Sequence, residues 1–252
     1  PGGDGAFAMI GGYTCAVLMN RMGVPFLVTL PIAFVVSAVV GTLLERTLYQ
    51  RLYRASALDQ VLFSIGLVFM SIAIATWWFG PTQQPVRLPD FLRGQVRVLG
   101  VDLGIYRLFL IAVVVALTAA LGWLLERTRF GAQIRAAVDN QRAAEGLGID
   151  VNRVFGFTFA LGSGLAGVGG ALGIDVLGLD PVFPLKYMVY FLLVVAVGGA
   201  GSIKGSLIAA MILGVFDVAG KYYVPEVGAF AIYALMVLLL IPFPSGLYGR
   251  TR

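Results

Sequence analysis

The sequence predicts an all-α integral membrane protein, a polytopic bundle of about eight membrane segments. Mean hydropathy is +0.91, and only 12% of the residues are charged, about half the share typical of soluble domains. Several apolar runs approach or exceed the roughly 18 residues that cross a bilayer as a helix. No long polar block remains to form a soluble domain, so we expect residues 1–252 to form a single transmembrane domain.

The apolar runs define the membrane segments in order. The first run is short and interrupted by glycine, and the last few are short for a full crossing, so we expect their ends to extend or the helices to tilt. The predicted segments are 5–19, 24–44, 61–79, 108–125, 154–174, 187–197, 206–219 and 229–241.

Basic residues predict the orientation of the bundle. Alternating crossings place eleven of the 18 lysines and arginines on the side that carries residues 127–153. Cytoplasmic loops are enriched in lysine and arginine, so residues 127–153 are predicted to be a cytoplasmic loop. Because the basic residues cluster beside apolar segments, the net charge of +5 indicates membrane topology rather than a nucleic-acid partner.

The longest polar stretch reads RTRFGAQIRAAVDNQRAAEGLGIDVNR, residues 127–153. Asp139 or Asn140 can cap the start of a helix within it, and Gly148 can end that helix in the left-handed conformation. A helix of two turns is marginal alone in water, so we expect it to pack on something.

This short helix has a narrow apolar face. Ala143, Ala144 and Leu147 form the face, and Arg142 and Glu145 border it. Such a face suits insertion into a groove of another protein. It equally suits a surface helix that rests on the membrane bundle of its own chain, and the spacing alone leaves both hypotheses open.

The opposite side carries the extracytoplasmic loop 80–107. Its three prolines and the alternating VRVLGVDL predict a turn followed by a short hairpin or strand. We expect a folded outer cap, with docking of an outside partner as the alternative. Asp175 and Asp180 also fall on this side, as solvated loop charges or as contacts for an external partner.

Two features inside the segments suggest packing or gating. GSGLAGVGGALG, residues 162–173, contains the small-residue pairs Ala166/Gly170 and Gly169/Gly173, a pattern that permits close helix packing or a sliding contact beside a path. Asp217 is a costly charge within a segment, and Lys221, one turn later, can pair with it.

Enzymatic chemistry finds little support. The chain has no histidine and a single cysteine, Cys15, so zinc sites, catalytic triads and internal disulfides are disfavoured. GGAGSIKGS lacks the order of a Walker A motif, so any nucleotide must bind to a partner. No cluster of His, Asp and Glu has acid–base or ligand spacing, which disfavours an intramembrane enzyme.

Five motifs occur in order along the chain. They are GAFAMIGGY (5–13), ERTLYQRLYRAS (45–56), RFGAQIRAAVDNQRAAEGLGIDVNRV (129–154), VGGAGSIKGSLIAAMILG (197–214) and IPFPSGLYGR (241–250). With them the chain resembles, over nearly its whole length, the permease subunits of ATP-driven (ABC) importers of the branched-chain amino-acid, or Liv, type. Members of that family have a complete helix before the first motif, so we expect an N-terminal helix to be missing here.

The resemblance implies a role for the polar stretch as the coupling helix that sits in a groove of an ATPase subunit. The implied coupling residues are Asp139, Asn140, Arg142, Ala143, Ala144, Glu145, Gly146, Leu147 and Gly148. Candidates for lining the translocation path or its gate are Gly11, Gly12, Tyr13, Gly162, Ser163 and Asp217.

The resemblance also implies the partners. These are two cytoplasmic ATPase subunits that hold ATP and magnesium, a second permease subunit, identical or related, and an extracytoplasmic solute-binding protein. The chain itself would bind no cofactor and would lie in the bacterial cytoplasmic (inner) membrane. Urea or short amides are alternative cargoes. A secondary transporter or channel for a small polar solute is the rival hypothesis, although few intramembrane acids are available for proton coupling.

Overall fold

The computed structural model describes residues 4–49, 56–84, 86, 88–98, 101–199, 201–225, 228–242 and 246–248. Parts of the second, fourth and fifth motifs therefore lie outside the described residues, as does the start of the chain. The α-helices in these ranges are α1 (Asp4–Met22), α2 (Phe26–Leu44), α3 (Ala57–Phe79), α4 (Ile105–Arg127), α5 (Arg129–Asp139), α6 (Gln141–Gly146), α7 (Val151–Leu177), α8 (Phe183–Gly198), α9 (Ile203–Tyr223) and α10 (Gly228–Leu240).

Each of the eight predicted segments contains a helix. Within the described part of the chain, five helical stretches are long and apolar enough to cross a membrane: Phe26–Tyr49, Leu58–Phe79, Ile105–Arg127, Val151–Leu177 and Ile203–Tyr223. The first of them joins α2 to a π-helical turn, Glu45–Tyr49. The chain is therefore a multi-pass helical membrane protein, whereas eight crossings and a preceding N-terminal helix stay predictions.

Several helices begin earlier than the apolar runs predict. The Asp150 side chain accepts a hydrogen bond from the Arg153 amide at the start of α7. Ser202 accepts one from the Gly205 amide at the start of α9. Such caps satisfy the free N–H groups of a first turn. Hydropathy does not register this, so the predicted starts at residues 154 and 206 were three residues late.

Two compact units divide the chain, residues 1–186 and 187–252. In the first unit, α1 and α2 form an antiparallel hairpin: Cys15 Sγ lies 3.0 Å from Thr29 Oγ1, and Ser37 Oγ donates to the Phe7 carbonyl at 3.4 Å. More than half of α1 is buried. The helix α7 packs against both members of this hairpin.

Glycine allows this three-helix packing. A Cβ on Gly11 would collide with the backbone of Gly167, and one on Gly170 would collide with the carbonyl of Ala8. The contact face of α7 thus carries Gly164, Gly167 and Gly170, three residues apart. Gly170 belongs to the predicted pair Ala166/Gly170, whereas Gly169 of the second pair is exposed with nothing within 4 Å of an added Cβ. Small residues occur on several faces of α7, so composition could not choose among them.

The loop between α3 and α4 contains the predicted hairpin. A 3₁₀ turn, Asp90–Leu92, leads to strands β1 (Gln95–Val98) and β2 (Val101–Gly104), which pair antiparallel. Arg97 Nε lies 3.0 Å from Asp102 Oδ1 across the pair. Because β2 runs directly into α4, the loop ends at Gly104, before the predicted limit of residue 107.

The second unit is built around α9 and α10. Its buried core consists of Leu193, Val197, Ala209, Leu213 and Ile232. The GGAGSIKGS segment connects α8 to α9, and Gly205 packs directly on the carbonyl of Gly198. The Leu247 amide donates to the Val197 carbonyl at 2.7 Å, which ties residue 247 to this turn.

We expect Gly170→Ala to lower the stability of the first unit, because the new methyl group meets the Ala8 backbone. Overpacking of this kind costs about 1–3 kcal/mol. The matched control is Gly169→Ala, one residue away, where the same methyl group meets open space and alanine favours the helix by up to about 1 kcal/mol. Thermal unfolding of the purified variants in detergent measures both. Equal midpoints for the two variants would contradict the packing described here.

Candidate functional site

The polar stretch folds as two helices, of which the sequence predicted only the second. Thr128 Oγ1 accepts from the Gly131 amide at 3.2 Å and caps α5, while the Arg135 guanidinium donates to the Leu125 carbonyl. The helix α5 is thereby folded back on the end of α4. A period-3.6 signal was available, since Ile134, Ala137 and Val138 recur at i, i+3 and i+4.

The short helix α6 has the predicted ends. Asn140 is its cap, with Oδ1 accepting from the Ala143 amide at 3.1 Å, whereas Asp139 is the last residue of α5. Gly148 follows the helix with φ +81°, a conformation that favours glycine. The cap and the left-handed glycine are therefore confirmed.

The predicted apolar face of α6 contains both a buried and an exposed residue. Ala144 is only 2% exposed and packs with Ala137, Val151 and Val154. Leu147 is 81% exposed. Ala144 therefore attaches the helix to its own chain, which corrects the predicted inserted face: two adjacent alanines are indistinguishable by spacing until the packing of α5 and α7 is known.

The outward side of the stretch combines apolar and charged side chains. Val138 is 68% exposed, and Ala143, Arg142 and Glu145 are exposed as well. We name the set Val138, Arg142, Ala143, Glu145 and Leu147 the exposed loop face. Gln141 Nε2 donates to Glu145 Oε1 at 3.1 Å. Gly146, beside this face, has nothing within 4 Å of an added Cβ, so a partner can approach the backbone there.

Four of the six path candidates are small residues of the first unit. Gly11 and Gly12 are buried in the packing of α1, the latter with the Leu179 side chain 3.0 Å from an added Cβ. Ser163 donates to the Phe159 carbonyl at 2.8 Å and packs on Gly41. Gly162 is exposed. Their role in a path stays a prediction.

Asp217 is paired as the sequence predicted. Lys221 Nζ lies 2.6 Å from its Oδ2, and the Tyr190 hydroxyl lies 3.5 Å from its Oδ1. Lys221 Nζ also stands 5.7 Å from the centroid of the Tyr190 ring. This arrangement neutralises a carboxylate whose side chain is 17% exposed, as expected of an acid within a membrane helix.

Tyr13, the sixth candidate, is in a different situation. It is 5% exposed, and its ring stacks on Phe79 at 4.4 Å between centroids. Among the residues described, its hydroxyl has no hydrogen-bond partner, and the same holds for the buried Oδ1 of Asp180. Sequence reasoning treated Asp180 like the exposed Asp175. The two prolines of DPVFP, residues 180–184, indicated a turn rather than a solvated loop at this acid.

Comparison with known proteins identifies relatives along the whole chain. Residues 3–240 match the family described as branched-chain amino acid transport system / permease component. A probable branched-chain amino acid transport permease, LivH of Methanocaldococcus jannaschii, is 27% identical over 98% of this chain and 81% of its own length. The permease BraD of the high-affinity branched-chain amino acid transport system of Pseudomonas aeruginosa is 26% identical over 98% and 84%.

A shorter match is to a permease with a different cargo. LsrC of Klebsiella pneumoniae, a permease of an autoinducer 2 import system, is 34% identical over 112 residues, which are 42% of this chain and 33% of that protein. No solved structure matches the chain significantly.

Removal of the Asn140 cap should loosen α6 selectively. We expect Asn140→Ala to destabilise this helix by about 0.5–2 kcal/mol, seen as faster hydrogen–deuterium exchange in the peptide that covers residues 141–148. Asn140→Asp is the control, because it keeps an oxygen acceptor for the Ala143 amide. Faster exchange in Asn140→Asp as well, or in neither variant, would be inconsistent with capping.

Proposed function

Because this chain belongs to the family of branched-chain amino acid transport permease components, we propose that it is the membrane-spanning subunit of an ATP-driven importer. Two cytoplasmic ATPase subunits would bind the ATP and magnesium, and a second permease subunit would complete the path. An extracytoplasmic solute-binding protein would deliver the cargo. The complex would lie in the cytoplasmic membrane, with residues 127–153 facing the cytosol.

The observation that carries this proposal is the exposed loop face and its attachment at both ends. Leu147 and Val138 point away from the chain, although large apolar side chains gain nothing from exposure to water. A groove on an ATPase subunit would cover them, with Arg142 and Glu145 as polar contacts at the rim.

The attachment explains how such a contact would act on the membrane helices. The helix α5 is held to α4 through Arg135 and the carbonyl of Leu125. The helix α6 is held to the first turn of α7 through Ala144, Val151 and Val154. Close-packed contacts transmit displacement rather than absorb it, so closure of the ATPases would move α4 and α7. Hydrolysis would then release the loop and reset the path.

The proposed cargo is a branched-chain or related amino acid. It rests on the functions of the two relatives that match this chain almost completely, LivH of Methanocaldococcus jannaschii and BraD of Pseudomonas aeruginosa. Urea and short amides are the alternatives for the same transport cycle. A secondary transporter would need no ATPase, and the exposed loop face would then tolerate charge changes, which separates that hypothesis from an importer.

We expect Leu147→Glu to abolish co-purification of the ATPase subunits from native membranes in mild detergent, as measured by mass spectrometry. The buried acid would cost the contact several kcal/mol, so the loss should be at least about tenfold. Glu145→Arg should weaken the same contact through charge reversal. Because both side chains are exposed, the variants should fold normally.

Phe91→Glu is the matched control. Phe91 is a large apolar side chain, 60% exposed, in the loop between α3 and α4, and we expect this variant to retain the ATPase subunits. If the unmodified chain purifies without an ATPase and transports solute without ATP, the importer proposal is overturned in favour of a secondary transporter.

A further inference from the structure

The chain from the end of α7 into the first turn of α8 runs back along α1, and its residues 178–182 are not helical. Gly178 ends α7 with φ +73° and ψ 153°, a backbone region nearly restricted to glycine. The Leu179 side chain then lies against Gly12, and Pro184 lies against Gly5, each 3.0 Å from the position of an added Cβ. The segment 179–184 thus follows the first half of α1 in the opposite direction.

This segment lies at the level of the membrane helices. On the α1–α2 hairpin, Cys15 is level with Thr29 and Phe7 is level with Ser37. Ser37 is halfway along the 24-residue helical stretch Phe26–Tyr49. Gly12 lies between these two levels and Gly5 just beyond the second, so Leu179–Pro184 descends to about the middle of the stretch.

The segment is enclosed by the protein on one side, whereas Val182 is 52% exposed and Asp180 is half-buried. Leu179 is 1% exposed and Phe183 2%, and Pro181 and Pro184 are below 2%. Irregular backbone at membrane depth is tolerated only where it is buried in protein or lines a water-filled cavity.

Two polar atoms beside this segment have no partners among the residues described. They are Oδ1 of Asp180 and the hydroxyl of Tyr13, each buried and without a hydrogen bond among the residues described. Their residues adjoin the contact of the Leu179 side chain with Gly12, where 3.0 Å separates that side chain from the position of an added Cβ. A buried polar atom without a partner destabilises a fold, and acids inside membrane proteins mark substrate or ion pathways. Two such atoms at one place point to a ligand that completes their hydrogen bonding.

We propose that Asp180 and Tyr13 bind the polar end of an amino acid as it passes through the permease. The Asp180 carboxylate accepts hydrogen bonds from the ammonium group, and the Tyr13 hydroxyl donates to the carboxylate. The stacked Phe79 ring fixes the orientation of the phenol. This inference rests on the proposed function and narrows it, because urea and neutral amides lack the ammonium group that a carboxylate selects.

The test uses the complete transporter, purified with its co-purifying subunits and reconstituted in liposomes with its solute-binding protein. ATP-driven uptake of radiolabelled leucine is compared in wild type, Asp180→Asn and Tyr13→Phe. Asp175→Asn is the matched control, since Asp175 is an exposed acid five residues away. We expect uptake to fall about tenfold or more in Asp180→Asn and severalfold in Tyr13→Phe, and to stay at the wild-type level in Asp175→Asn.

A second readout separates a binding site from a structural role. Tyr13→Phe removes an unpaired buried hydroxyl, and Asp180→Asn replaces a partly buried carboxylate with a neutral amide of the same size. The thermal midpoint of the complex should therefore stay unchanged or rise, and the ATPase subunits should remain bound. Loss of uptake together with a lowered midpoint or lost subunits would show that the pair is structural.

The two proposals fail in different ways. Leucine uptake within twofold of wild type in Asp180→Asn would overturn the inference and leave the importer proposal standing. A wild-type complex that carries the ATPases but takes up urea, and no amino acid, would overturn the proposed cargo and the Asp180 site together.

Discussion

The backbone contact of α1 with α7 is the constraint on which the first unit depends. Two helices can approach this closely only where neither carries a Cβ, as at Gly11 and Gly167. Lipid tails are as apolar as leucine, so association in the membrane relies on such close van der Waals packing rather than on the hydrophobic effect. Because α2 contributes Ser37 to the same contact, the three helices form one block.

That block also makes the irregular segment after α7 possible. A chain without helical hydrogen bonds at membrane depth needs partners for its backbone. The Leu179 carbonyl accepts from the Gln84 amide at 2.8 Å and the Asp180 carbonyl accepts from the Phe183 amide, while the bond from the Lys186 amide to the Val182 carbonyl begins α8. At Gly5 and Gly12 the α1 helix carries no side chain, so the segment lies directly on its backbone. Glycine in α1 therefore serves two neighbours, α7 and the segment that follows it.

The sequence predicted features that depend on local chemistry and missed those that depend on packing. Apolar runs marked the helices, VRVLGVDL marked the hairpin, and the residue types of Asn140 and Gly148 marked the ends of α6. The burial of Ala144 could not be distinguished from that of Ala143, because the choice is made by α5 and α7. Asp180 looked like a loop charge for the same reason. Hydropathy depends on composition alone, whereas the burial of Asp180 depends on how the chain after α7 packs against α1.

The helix α7 joins the cluster around Ala144 to the segment that contains Asp180. Its 27 residues span roughly 40 Å at 1.5 Å per residue. The cluster around Ala144 lies at one end and Gly178 at the other. Between them, the glycine contacts with α1 and α2 leave no free space for α7 to slide, so a displacement of the loop should move the three-helix block together. The conformational change that accompanies this displacement should then occur in non-helical backbone. We therefore expect the segment at Asp180, rather than the helix contacts, to change shape when the loop moves.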